Sequence, residues 1–72
     1  MKRWHKISLP ARWKVVLGYN ISNQGAIYEA YFNENNIKWE MFRIDNESEF
    51  LNYRIKVDDE QLVTYIKLKM SL

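Results

Sequence analysis

The side chains that could do chemistry in this chain are few, and several of them crowd into its first fourteen positions. His5 is the only histidine, and there is no cysteine. That removes thiolate nucleophiles, Cys-type zinc sites, redox switching and disulfides. A single imidazole without a second histidine or a thiolate is a poor basis for a transition-metal site, and nothing near it in sequence would orient it for a Ser-His-Asp relay. Asp58, Asp59 and Glu60 form a carboxylate run that could hold a hard cation such as Mg²⁺, but such runs more often serve as solvated turns or helix caps. Glu47 and Glu49 belong to another polar turn. Gly18 and Gly25 are the only glycines, so no Gly-rich phosphate loop occurs. The expectation is a non-enzymatic chain with no catalytic residues, no metal and no cofactor.

The basic residues are more informative. No acid precedes Glu29, whereas Lys2, Arg3, Lys6, Arg12 and Lys14 all carry positive charge. From Glu29 to Glu60, nine acids face four bases, although the whole chain carries only +2. Such an asymmetry can steer a polyanion to one end of a molecule; equally, opposite charges on separate strands can simply meet across a sheet. Trp4 lies among Lys2, Arg3 and Lys6, and a basic segment with an aromatic can follow a nucleic-acid backbone and stack on a base. The alternative for Trp4 and Ile7 is packing against the domain as an extra strand.

These residues must be positioned by a small scaffold. Seventy-two residues fit one domain, and a core of that size rarely supplies more than about 3–5 kcal/mol of net stability. Without disulfides, the remaining aids are aromatic packing and self-association, so a homodimer is one expectation. No apolar run approaches the ~20 residues that span a bilayer, and the basic N-terminus lacks a long apolar stretch after it, so no membrane association and a cytoplasmic location are expected.

Pro10 separates a basic tail, residues 1–10, from a folded region, residues 11–72. From Arg12 the chain alternates, with Trp13, Val15, Leu17, Tyr19 and Ile21 on one side, as in a half-buried strand. Ser22-Asn23-Gln24-Gly25 reads as a tight turn, and "AIYEAYFN" after it as a strand that is apolar on both faces. "NENN" (33–36) makes a further turn. In "IKWEMFRID" the apolar phase shifts from Ile37, Trp39 and Met41 to Phe42 and Ile44, which predicts a β-bulge. "DNES" (45–48) turns again, and Leu51, Tyr53, Ile55 and Val57 then alternate with Asn52, Arg54 and Lys56. The last segment favours a strand by its Val, Thr and Ile content, yet Leu62, Ile66 and Met70 share a helical face, and Asp58 with Gln61 resembles a capping box. The predicted architecture is mostly β: four or five antiparallel strands in a meander or small barrel, with a C-terminal strand or short helix. Trp39 is expected in the core.

The pattern Trp13-Lys14, then Gly18-Tyr19, then Ile21-Ser22-Asn23, Gly25 and Ile27 resembles the short DNA-binding hairpin module that accompanies HNH-type homing endonucleases of phages. The resemblance covers about a fifth of the chain, and no HNH nuclease segment is present. It implies strands laid against DNA, with Asn23 reaching from the turn. Ala26, Tyr28 and Glu29 stand where the module usually carries arginine.

Two functional classes follow. The first is a nucleic-acid-binding module, on DNA or RNA, using Lys2, Arg3, Trp4, Lys6, Arg12, Lys14 and Asn23. The second is a protein-interaction or inhibitor module that docks on a host or partner protein through an aromatic surface or a sheet edge.

Overall fold

The computed structural model describes residues 1–43 and 48–71. The elements run β1 (Arg3–Pro10), β2 (Lys14–Val16), β3 (Tyr19–Ile21), α1 (Gln24–Glu34), β4 (Lys38–Arg43), β5 (Phe50–Val57) and α2 (Glu60–Met70). They form two antiparallel sheets, one ordered β1-β5-β4 and one the pair β2-β3. This is a β-rich small domain, but neither a meander nor a closed barrel. β1 and β4 both run antiparallel to β5, so they are parallel to each other, and α1 carries the chain across β5 from one edge to the other.

β5 organises the core. Its alternation is the one the sequence predicts: Leu51, Tyr53, Ile55 and Val57 are buried, while Asn52, Arg54 and Lys56 point to the opposite face. Residues 3–10, expected as a tail ending at Pro10, instead pair along their whole length with β5. The reason is that Ile7 and Leu9 meet Tyr53 and Leu51 in register, and both are buried. Only the extra-strand reading of Trp4 and Ile7 fits that arrangement.

The segment 22–33 departs most from the alternation reading. Ser22-Asn23-Gln24-Gly25 is not a hairpin turn but the entrance to α1, and "AIYEAYFN" is helical. Tyr28 and Phe32, four residues apart, share one helical face and are buried against Tyr53. A run apolar in both strand phases does not distinguish strand from helix, and the sheet offered a surface only the helix could cover. The turn at 33–36 is as predicted and has an identifiable form. Asn36 adopts φ 56° just beyond the helix, the Asn36 N–H donates to the Asn33 carbonyl, and the Ile37 N–H donates to that of Phe32. This is a Schellman closure, with Asn in the left-handed position and Ile37 packed with Phe32 in the core.

The predicted bulge is present: Met41 pairs with Tyr53 and Arg43 with Asn52, leaving Phe42 as the extra residue. The turn expected at residues 45–48 falls largely outside the described residues. The C-terminal segment is a helix, not the strand its composition favoured. Asp59 rather than Asp58 caps it, accepting from the Gln61 N–H at 2.8 Å. Glu60 in its first turn and Lys67 and Lys69 in its last suit the helix dipole. Burial of Ile66, with Val63 and Met70 beside it, outweighs the weak β-propensity of the segment. Both helices thus cover one face of the large sheet. Trp39 packs only partly against that core, edge-on to Tyr53, with its indole N–H donating to Asn33 Oδ1 at 3.0 Å.

The strand expected over residues 12–22 is broken in the middle. Val16 and Tyr19 pair across Leu17-Gly18, a two-residue turn with both φ angles positive (52° and 83°). That is the type I′ geometry of tight hairpins. The hairpin is fixed to the body at its base, where the Trp13 indole donates to the Ser48 carbonyl (2.6 Å) and the Ser22 hydroxyl to the Ala11 carbonyl (2.5 Å).

Candidate nucleic-acid interface

The face of the three-stranded sheet that turns away from the helices has no covering layer among the described residues. Strand alternation places even-numbered residues of β1 and β5 there, and the register aligns them in rows. Trp4, Lys56 and Lys38 form one row, and Lys6, Arg54 and Glu40 the next. The following row begins with Ser8 and Asn52, joined by a 2.6 Å hydrogen bond.

Within these rows the contacts are between cations and rings. The Arg54 guanidinium lies 4.9 Å from the Trp4 ring centre and Lys56 Nζ 5.7 Å from it. Lys6 Nζ lies 5.7 Å from the Phe42 ring. Trp4 stays about two-fifths exposed, and Phe42, pushed outward by the bulge, nearly half. Glu40, the one acid in these rows, is paired with Arg54. Lys38 and Lys56 stand directly opposite one another on neighbouring strands, a like-charge arrangement that costs up to roughly 1 kcal/mol. Lys2 joins them around a shallow concavity also bordered by Asn36. The rows thus combine aromatic faces with unneutralised ammonium groups, which suits a ligand that stacks and carries negative charge.

The residues nominated from sequence do not form one group. Trp4 and Lys6 lie on this face, and Lys2 is beside it. Arg3 is exposed but pairs with Val57, in the register that turns toward the helices. Arg12, Lys14 and Asn23 belong to the far end of β1, which at eight residues spans about 25 Å. Arg12 sits at φ 51° between β1 and β2, Lys14 opens β2, and Asn23 precedes α1 without a side-chain capping bond. Sequence reasoning missed Lys38, Phe42, Arg54 and Lys56. Alternation had already placed Arg54 and Lys56 on the polar face of β5; only the β1–β5 pairing brings them against Trp4.

The opposite face is chemically quiet. The Tyr53 hydroxyl donates to Glu29 Oε2 at 3.0 Å, and the Tyr28 hydroxyl to the Pro10 carbonyl at 2.6 Å. Burial raises the pKa of both phenols; Glu29 adds to the effect at Tyr53, and Arg12 opposes it at Tyr28. Among the described residues no group of three or more His, Asp or Glu side chains could hold a metal, and no helix is long and apolar enough to cross a membrane. The chain matches no protein-family model, no curated protein and no solved structure.

Proposed function

We propose that this protein is a non-enzymatic module that binds single-stranded nucleic acid on the open face of its three-stranded sheet. The observation that carries the reading is the row Trp4–Lys56–Lys38, with Arg54 packed on the indole. A base stacks on Trp4 or on the guanidinium plane beside it, while Lys2, Lys38 and Lys56 receive phosphates. The facing Lys38–Lys56 pair is then relieved by an anion. A sheet face with partly exposed aromatics suits unpaired bases, and among the described residues no helix lies on this face for insertion into the major groove of a duplex. Of the basic residues at the start of the chain, Lys2 and Lys6 are assigned the role expected from sequence, and Arg3 is not. Arg12, Lys14 and Asn23 lie outside this surface.

The test is fluorescence anisotropy with labelled single-stranded DNA and RNA oligonucleotides, beginning at ~50 mM salt, where phosphate contacts are strongest. Trp4→Ala should weaken binding at least about fivefold, since base–aromatic stacking contributes about 1–3 kcal/mol. Lys38→Ala and Lys56→Ala should each flatten the dependence of log affinity on log salt by about 0.7, the single-strand value per phosphate contact. An Arg12/Lys14→Ala variant should bind as wild type. Absence of binding at low salt, or equal losses in all variants, would remove the proposal.

A further inference from the structure

Among the described residues, the apolar side chains of the β2–β3 hairpin are the least covered of any strand's. Val15, Val16, Leu17, Tyr19 and Ile21 are all exposed, Leu17 at 93% and Val15 and Tyr19 at 73%. A two-stranded hairpin is marginal in water even when one face is packed, and here neither face is. Leu17 carries a second cost. Its φ of 52° lies in the left-handed region, where a branched aliphatic residue is strained and Asn is preferred. An exposed leucine is thus held at a position where Asn-Gly would suit both the solvent and the turn. Strain and exposure at one tip residue indicate that the side chain is there for a contact.

We infer that the hairpin docks on a second copy of this chain, each tip entering a groove at the base of the other's hairpin. Trp13, Ile21, Ala26, Met41 and Leu51 line this groove with the polar Asn20, Ser22 and Glu29, and its volume is about 430 Å³. It is an open depression rather than a closed cavity, and it is wide enough to receive an aliphatic tip. Trp13 and Ile21 belong both to the groove wall and to the hairpin's base, about 13 Å from Leu17 by strand rise. Tip and groove therefore lie at opposite ends of one short ribbon, and a two-fold axis across two antiparallel ribbons satisfies both at once. That is the isologous arrangement of a cyclic dimer. Val16, Tyr19 and Ile21 on one face of the ribbon, with Leu17 at its tip and the neighbouring Ile27, offer on the order of 600 Å² per copy, toward the low end of the range for specific interfaces. The inference uses none of the sheet-face residues and is independent of that reading.

Sedimentation equilibrium on the full chain, over protein concentrations up to about 1 mM, tests it. The wild type should be dimeric at the upper end of the range. Leu17→Asn should be monomeric throughout, with an unfolding temperature measured in dilute solution no lower than wild type, because the turn is improved. Ala26→Arg, an exposed helix position on the groove wall, should also be monomeric while keeping its circular dichroism spectrum. Mixing the two variants should recover association weaker than wild type, because one chain keeps an intact groove and the other an intact tip. A wild type that stays monomeric overturns the inference and leaves the hairpin to a different protein partner. So does a Leu17→Asn protein that dimerises as strongly as wild type.

Discussion

The three-stranded sheet and the β2–β3 hairpin show the same alternation in sequence and opposite outcomes in structure. Leu51, Tyr53, Ile55 and Val57 are buried under two helices, whereas Val15, Leu17, Tyr19 and Ile21 are open to solvent. In β5 the pattern marks one face, whereas the turn at Leu17-Gly18 leaves Val16, Tyr19 and Ile21 on one face of the hairpin and Val15 on the other. The difference is whether the chain itself supplies the cover. In the body, Tyr28 and Phe32 of α1 and Ile66 of α2 meet β5 and β1; the hairpin has nothing equivalent. Periodicity therefore marks a surface that gains from being covered, and among the described residues the hairpin has no such cover.

The sharpest way to break this comparison is to empty the body's core. Tyr53 touches Tyr28, Phe32 and Trp39 ring to edge. Tyr53→Ala should cost about 3–5 kcal/mol, enough to unfold a domain of this size. Urea denaturation checks it, and a hairpin change such as Tyr19→Ser should move the midpoint little by comparison. A cooperative, near-wild-type transition in Tyr53→Ala would place the stability elsewhere.

Trp39 is a milder case, because it flanks the core rather than filling it. Trp39→Ala should cost about 2 kcal/mol, below a fully buried aromatic, and Trp39→Phe less, having lost mainly the bond to Asn33. If both variants unfold outright, the indole is as central as the sequence pattern first implied.

Alkaline pH gives a third contrast. Tyr53 has its pKa raised above the ordinary value of 10.0 by burial and by Glu29. The unfolded chain loses that proton near 10 while the folded chain keeps it, so Tyr53 favours unfolding as pH rises above about 10 and has no such effect below. Stability measured against pH should fall in that range, and Tyr53→Phe should flatten the fall. An unchanged slope in Tyr53→Phe would assign the loss to other groups.

The smallest expected effect is at the α1–β4 junction. Asn36 in the left-handed position should tolerate Gly without loss, whereas Asn36→Ala should cost about 1 kcal/mol. Thermal unfolding of the two variants separates them.

Much of the strand chemistry was legible in the sequence. The alternation of β5, the bulge at Phe42 and the turn ending at Asn36 follow from local rules: a side-chain period of two, a phase slip, and the tolerance of Asn for positive φ. The basic, aromatic character of the start of the chain was legible too. What local rules left open were segments whose pattern fits more than one period. "AIYEAYFN" is apolar in both strand phases and also places Tyr28 and Phe32 on one helical face. The C-terminal segment sets β-branched content against the stripe Leu62, Ile66 and Met70. Each was decided by the surface available to it, because the inner face of β1 and β5 needed covering and an eleven-residue helix covers more of it than another strand would. The same non-local step made the candidate interface. Trp4 lies 50 residues from Arg54 and 52 from Lys56 in the chain, and only antiparallel pairing of the first and last strands sets them side by side.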